Sequence, residues 1–314
     1  MTRPLVSILI PARNAMPWVL PCIESVLAQT WAEREIRVHD DGSTDGTREC
    51  LEAFGEEFIL TTSSTLGSNV VRNRLLGEAR GEWIQFVDAD DVLLPGKIEA
   101  QMEVALKEDK VDVVYSPFFL LEERVDAVLE PSWYPEPPHD LWELHVRWQL
   151  GQTGTVLLRA STLREVGGWN EQQVVCQDNE LFFRLLRAGA RFAWCEHRGA
   201  AYRVRSTSLS RNKVSLTHQT MLELLAATAE HLRAQGEWTP GRARAAARTR
   251  FEIARAMWDD DPEAARRVVR KLLAEMPDFV PVEDASRMYC WAWRTGGFPV
   301  AQAVRRMGHR WFQR

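Results

Sequence analysis

Three carboxylates stand within four positions of the stretch FVDADDVLLPG, residues 86–96: Asp88, Asp90 and Asp91. Like charges this close raise one another's cost of ionisation, and a cation among them lowers it. On an extended backbone Asp88 and Asp90 point to one side and Asp91 to the other, so the first two can share one hard cation. Oxygen ligands of this kind suit Mg2+ or Mn2+, bridged to phosphate oxygens rather than caged by protein alone. Other polar clusters stand at PARN (11–14), DDGSTDG (40–46) and QDNE (177–180). Taken singly, an acidic turn reads as a helix cap or a solvated loop. Several of them at the ends of strands read as a ligand site, because open α/β sheets bind ligands at the carboxyl ends of their strands.

The elements that must hold these clusters are legible from period. LVSILIP (5–11), EIRVHD (35–40), FILTT (58–62) and EWIQFVD (82–88) read as strands. Between them Val19, Ile23, Val26 and Leu27 form one helical stripe and Val71, Leu75, Leu76 and Ala79 another. Strands alternating with helices imply βαβ units around a mainly parallel sheet. GKIEAQMEVALKED then reads as a helix and VDVVYS and GTVLLRA as strands, with a further helix starting near Asp178. The Pro- and Trp-rich stretch 117–150 reads as irregular, either a substrate-facing loop region or a structural connection. From 211 onward three consecutive amphipathic helices replace the strands, so 211–314 is expected to be a separate helical unit behind an α/β domain over 1–210. The end of the chain combines Val300, Val304, Met307 and Trp311 with Arg305, Arg306, Arg310 and Arg314. Such a basic amphipathic end either docks on the protein or makes peripheral contact with an anionic membrane surface.

Composition bounds the partners. A net charge of −5 over 314 residues gives no basis for nucleic-acid binding. Five scattered cysteines without a C-x-x-C pair argue against a disulfide framework or a zinc site and for a reducing compartment. No run approaches the roughly 18 apolar residues of a membrane span, so the expectation is a cytoplasmic protein, at most at the inner face of the cell membrane.

The phrases VSILIPARNAMPWVLPCIESVLAQTW, IRVHDDGSTDGT, VVRNRLLGEARGEWIQFVDADDVLLPGKI, VGGWNE and QDNELFFRLLRAG come in one order over about residues 4–210. In order and spacing they resemble the family 2 glycosyltransferases of the GT-A fold. The resemblance implies a Rossmann-like α/β domain with a nucleotide-binding half over about 1–100 and an acceptor half over 101–210. It implies an inverting transferase that moves a sugar from a nucleotide-diphosphate donor, a UDP-sugar being favoured, to a hydroxyl of a cell-envelope glycan or lipid-linked sugar. It places Pro11, Ala12 and Arg13 beside the base, Asp41 bonded to the base and Arg72 on the nucleotide side. Asp88 approaches the ribose and the metal, Asp90 is the principal ligand of a divalent cation (Mg2+ or Mn2+), and Asp178 is the general base.

The match departs from the family at three places. PARN has Arg13 where many relatives have Tyr, and Gln177 stands where Glu is common. AYRVRSTSLS has Arg205 where the family has a metal-binding His. Arginine is an obligate donor and cannot coordinate a cation, so either a water completes the shell or the guanidinium itself contacts the diphosphate. The expectation is that the Arg205 guanidinium contacts the diphosphate. His197 reads as a structural histidine rather than a substitute ligand. On the acceptor side stand Trp169, which offers a wall for a sugar ring, and Gln177, which leaves one fewer negative charge beside Asp178. The alternatives are a non-catalytic nucleotide-sugar binder, a transferase acting on a peptide or small molecule, a nucleotidyltransferase, and a haloacid-dehalogenase-type phosphatase, whose D-x-D-x-V-L pattern IQFVDADDVLL also satisfies.

Overall fold

The computed structural model describes residues 3–108, 110–122, 128–131, 137–205, 212–281 and 286–312. Two compact units divide the chain, one of Met1–His139 with Trp148–Asn212 and one of Asp140–Arg147 with Lys213–Arg314.

The strands of the first unit are β1 (Val6–Ala12), β2 (Arg34–Asp40), β3 (Ile59–Thr62), β4 (Trp83–Phe86), β5 (Val92–Leu93), β6 (Val113–Tyr115), β7 (Phe118–Glu122), β8 (Val128–Pro131), β9 (Leu157–Arg159), β10 (Phe192–Trp194) and β11 (Ala200–Val204). Seven form one sheet in the order β10-β6-β9-β4-β1-β2-β3, in which β9 alone runs antiparallel to its neighbours. Its helices are α1 (Val19–Leu27), α2 (Thr47–Glu52), α3 (Ser68–Glu78) and α4 (Lys97–Lys107); α5 (Leu141–Val146) belongs to the other unit, and α6 (Ala160–Glu165) and α7 (Gln177–Arg187) complete the set. The four strands of the first half fall where period places them, because a central parallel strand covered on both faces is a nearly continuous apolar run. Val6, Ile8, Leu9 and Ile10 of β1 are all fully buried.

One polar residue inside β1 is satisfied locally. Ser7 Oγ donates to Glu35 Oε1 and accepts from Gly81 N at 2.8 Å, while Glu35 also accepts from Arg80 N at 2.7 Å. A Cβ at position 81 would lie 2.5 Å from Ser7 N, so glycine is required by close approach of backbone.

Register sets the site. Ala12 pairs with Asp40, Asp40 with Thr62, and Leu9 with Phe86, so Pro11–Ala12, Asp40–Asp41 and Val87–Asp88 leave the sheet along one edge. A second sheet of order β5-β11-β7-β8 joins the segment after the aspartates to AYRV, with Ala201 opposite Val92 and Ala200 opposite Leu93. The stretch 117–150 is thus not the irregular connection expected from its composition. It carries β7, β8 and α5, while 123–127 and 132–136 lie outside the described residues.

The second unit contains α5, α8 (Val214–Ala234), α9 (Pro240–Met257), α10 (Pro262–Glu275) and α11 (Arg287–Phe312). Thr239 and Asp261 cap α9 and α10 in front of Pro240 and Pro262, accepting from Arg242 N at 3.3 Å and Ala264 N at 2.8 Å. Around Phe251 pack Trp258, Tyr289, Trp293 and Phe298. Within α11, Gly297 leaves helical geometry (φ 68, ψ −166) two residues before Pro299, whose ring cannot continue a helix. The expected boundary at 210/211 needs one correction, because α5 joins the helical unit. Val146 packs with Leu225, Ala246 and Ile253, Arg147 pairs with Glu252 at 3.1 Å and Asp140 with Arg242 at 2.9 Å. Toward the chain's end Arg305 and Arg306 both pair with Asp259, at 2.9 and 2.5 Å. The side chains of Met307, Arg310, Trp311 and Arg314 lie outside the described residues.

Candidate active site

The aspartate cluster is a turn rather than an extended segment, since Asp91 N donates to Asp88 O at 2.9 Å. The side chains still separate as the sequence suggests. Asp88 Oδ1 accepts from Arg72 Nη2 at 2.5 Å, and Asp90 Oδ2 accepts from Arg205 Nη1 at 2.8 Å. Asp91 is buried and accepts from Arg203 N at 2.8 Å. Burial pushes the Asp91 carboxyl well above the usual carboxylate range, with the charges of Asp90 and Asp88 adding to it. Asp90 is raised as well, by burial and then by Asp88, against the pull of the Arg205 hydrogen bond. Arg205 itself lies flat over Trp18, its Cζ 3.9 Å from the ring centroid.

Arg72, buried on α3, ties the two halves of the site together. Besides Asp88, its Nη1 donates to Asn69 Oδ1 at 3.0 Å and to Gln177 Oε1 at 2.7 Å. Its guanidinium rests on Trp169, 4.5 Å from the ring centroid. Gln177 opens α7, behind Cys176 in left-handed geometry (φ 55), and Asp178 follows in the first turn. Asp178 is therefore not the N-cap of α7; its Oδ1 accepts from Asn179 N at 3.0 Å. Burial is the main cause that brings its carboxyl up to about 6, Asp88 adding to the shift and Asn179 N–H and Arg72 opposing it. A carboxylate poised near neutral pH is what a general base needs.

The loop before α7 is held from α3 by residues that sequence reading passed over. Asn73 Nδ2 donates to Trp169 O at 2.8 Å while Asn73 Oδ1 accepts from Trp169 N at 2.8 Å. Asn69 Nδ2 donates to Asn170 O at 2.7 Å and to Gln173 O at 3.1 Å. Two asparagines at helical spacing beside an arginine, SNVVRN, were the signal available.

Other expected site residues divide. Pro11 and Ala12 end β1 beside Asp41, whose N donates to Ala12 O at 2.9 Å, and Arg13 is exposed at the same edge. Asp41 is engaged within the fold, since Oδ1 accepts from Ser63 Oγ at 3.0 Å and Leu66 N at 2.7 Å and Oδ2 from Gly67 N at 2.9 Å. Trp169 does not form an open wall for a sugar. It is 3% exposed, edge-on to Phe86 at 5.3 Å and beneath Arg72, because the asparagine clamp draws its backbone onto α3.

The carboxylates fit a divalent cation in one specific sense. Asp88 Oδ2 and Asp90 Oδ1 accept no hydrogen bond from another residue among those described, which leaves two hard oxygen donors at the mouth of the site. No group of three His, Cys, Asp or Glu gathers among the described residues. Two protein oxygens plus diphosphate oxygens and water suit Mg2+ or Mn2+, which are seldom held by an all-protein cage.

The glycosyl transferase family 2 profile matches residues 7–149. A UDP-Glc:alpha-D-GlcNAc-diphosphoundecaprenol beta-1,3-glucosyltransferase, WfgD of Escherichia coli, is 39% identical over 119 residues, covering 37% of this chain and 47% of its own. The uncharacterized glycosyltransferase YibD of E. coli K12 is 29% identical over 222 residues, 65% of this chain and 63% of its own, and one of Rickettsia typhi 28% identical over 191, 60% of each. The chain thus spans less than two thirds of the length of these relatives. In three dimensions it is similar to Staphylococcus aureus TarS 1–349 in complex with UDP-GlcNAc, with a TM-score of 0.62 and 16% identity over 86% of this chain and 80% of that one. The mannosyltransferase PcManGT of Pyrobaculum calidifontis, in complex with GDP-Man and Mn2+, has a TM-score of 0.56 and 16% identity over 98% and 88%. The strand-end aspartates and Arg72 thus lie in the stretch, residues 7–149, over which the chain is similar to glycosyl transferase family 2.

Proposed function

We propose that this protein transfers a sugar from a nucleotide-diphosphate donor to a hydroxyl acceptor with inversion, using Asp178 as general base. The carrying observation is that one buried guanidinium, Arg72, bonds both Asp88 at the strand-end aspartates and Gln177, the neighbour of Asp178. A donor held at the first and a base at the second are thereby fixed relative to each other, which is what an in-line displacement demands.

Asp178 takes the proton of the acceptor hydroxyl as its oxygen forms a bond to the anomeric carbon from the face opposite the leaving group. The bond from that carbon to the diphosphate oxygen breaks, and its electron pair leaves with the nucleoside diphosphate, which needs no proton. Asp88 and Asp90 would hold a divalent cation, which when bound supplies positive charge to the departing diphosphate. Arg205, bonded to Asp90 and stacked on Trp18, stands where a guanidinium would meet the same phosphates.

A UDP-sugar donor is supported by the names of WfgD and of the TarS complex, while the GDP-Man complex of PcManGT keeps guanosine donors in the test. An envelope glycan or lipid-linked acceptor is supported by WfgD and by the putative teichuronic acid enzyme TuaG of Bacillus subtilis, 33% identical over 109 residues. A panel of nucleotide sugars with Mn2+, read by thermal shift and by release of nucleoside diphosphate, tests the reading. One or more donors should raise the melting point and be turned over with an acceptor. Donor binding with neither transfer nor hydrolysis would leave a nucleotide-sugar binder instead, the reading favoured by an arginine on Asp90.

A further inference from the structure

We propose that the helical unit carries a binding site for an anionic lipid surface, made by an arginine-rimmed cavity beside α9 and the exposed Trp291 ridge of α11. The cavity has a volume of about 560 Å3 and lies between α9, the segment 276–281 and Arg294. Its walls are apolar where Phe251, Met276, Phe279, Val280 and Pro281 meet. Its charged groups are four guanidiniums, Arg244, Arg248, Arg255 and Arg294, against the carboxylates of Glu252 and Asp278. Glu252 is already engaged, by Arg147 at 3.1 Å and Arg248 at 3.2 Å. Arg244 and Arg294 are exposed and make no ion pair among the described residues.

On α11 the positions 287, 291 and 294 share one helical face. There Trp291 is 65% exposed between Arg287 and Arg294, with Met288 57% exposed at its side. An indole left in water beside guanidiniums suits a headgroup boundary, where the ring meets the acyl region and the cations meet phosphate. Charge is partitioned in the same sense. The helical unit has 18 Lys and Arg against 14 Asp and Glu, whereas the α/β unit has 21 against 30, so an anionic surface is attracted to the helical unit although the whole chain is acidic. A lipid supplies both chemistries this site presents, an anion for the rim and hydrocarbon for the walls. No helix among the described residues is long and apolar enough to cross a membrane, and attachment through guanidiniums and one indole is of the peripheral, reversible kind. It uses side chains distinct from Arg305 and Arg306, which Asp259 holds.

Vesicle flotation of the full chain tests this, with phosphatidylcholine alone and with part of it replaced by phosphatidylglycerol. The protein should float with the anionic vesicles only, and added salt should release it. Arg244→Glu and Arg294→Glu should each lower the partition coefficient at least about fivefold, and Trp291→Ser should lower it at any salt concentration. Flotation equal on neutral vesicles, absent on both, or unaffected by all three substitutions overturns the proposal. So does a thermal shift by inorganic phosphate without vesicle binding, which would make the cavity a small-anion site.

Discussion

At the scale of single residues, the proposed transfer turns on Asp178, whose carboxyl burial keeps poised. Asp178, brought up to about 6 by burial, is a carboxylate at pH 7 and a carboxylic acid at pH 5. The rate of transfer should therefore fall as pH drops through about 6, and Asp178→Asn should lower kcat by about 10²- to 10⁴-fold with donor affinity retained. A variant that keeps full activity removes Asp178 from the role. The same shift carries a sign for stability. A carboxyl whose pKa is raised by folding opposes the folded state when ionised, and that penalty vanishes as pH falls through about 6 toward the ordinary carboxylate range. Asp178→Asn should accordingly melt no lower than the parent at pH 7.5 and lose any advantage at acid pH. For Arg205, loss of a charged hydrogen-bonding group is worth about 1.5–3 kcal/mol, so Arg205→Ala should weaken nucleoside-diphosphate binding roughly ten- to a hundredfold by calorimetry. An unchanged affinity with and without Mn2+ would take Arg205 out of the diphosphate site. The residue types of Asp88, Asp90 and Asp178 were legible in the sequence. The burial of Trp169 and the internal bonding of Asp41 were not, because both depend on partners far along the chain.

At the scale of elements, α3 is the part that joins the two halves. Arg72 reaches Asp88 and Gln177 from its middle, and Asn69 and Asn73 hold the loop that leads into α7. Asn73→Ala removes a reciprocal pair of hydrogen bonds to Trp169 and lets that loop drift. Because a displacement of about 1 Å can cost about a hundredfold in rate, kcat should fall by up to that factor while donor affinity changes little. A larger loss in donor affinity than in kcat would place Asn73 on the donor side instead. The long apolar strands and amphipathic helices were legible in the sequence since their periods are set by burial of a face. β5, β7, β8, β10 and β11, of two to five residues each, were not. So short a run carries little period of its own, and all but β8, whose partner is the neighbouring β7, are defined by pairing with a strand distant in sequence, as Ala201 with Val92. The tryptophans and prolines of 117–150 hid α5, whose Asp140 cap accepts from Trp142 N at 2.9 Å.

At the scale of the whole molecule, sequence composition marked the change from α/β to helical near 211 but not the earlier excursion of Asp140–Arg147 into the helical unit. That excursion is visible only in packing. Val146 is buried with Leu225, Ala246 and Ile253, so Val146→Asp places an unpaired charge in that core. It should lower the melting temperature of the helical unit, with nucleotide-sugar affinity retained. A parallel loss of donor affinity would show that the site depends on that unit's integrity.

Because α5 is gripped by α8 and α9 through Val146, the Arg147–Glu252 pair and the Asp140–Arg242 pair, peptide continuity after Asn212 is not the only thing holding the chain's parts to one another. The backbone passes into the helical unit, out again and back in, so a cut between 212 and 213 leaves the first piece holding α5, a part of the helical unit's core. Separately expressed fragments 1–212 and 213–314 should therefore copurify from one cell, and Val146→Asp should part them.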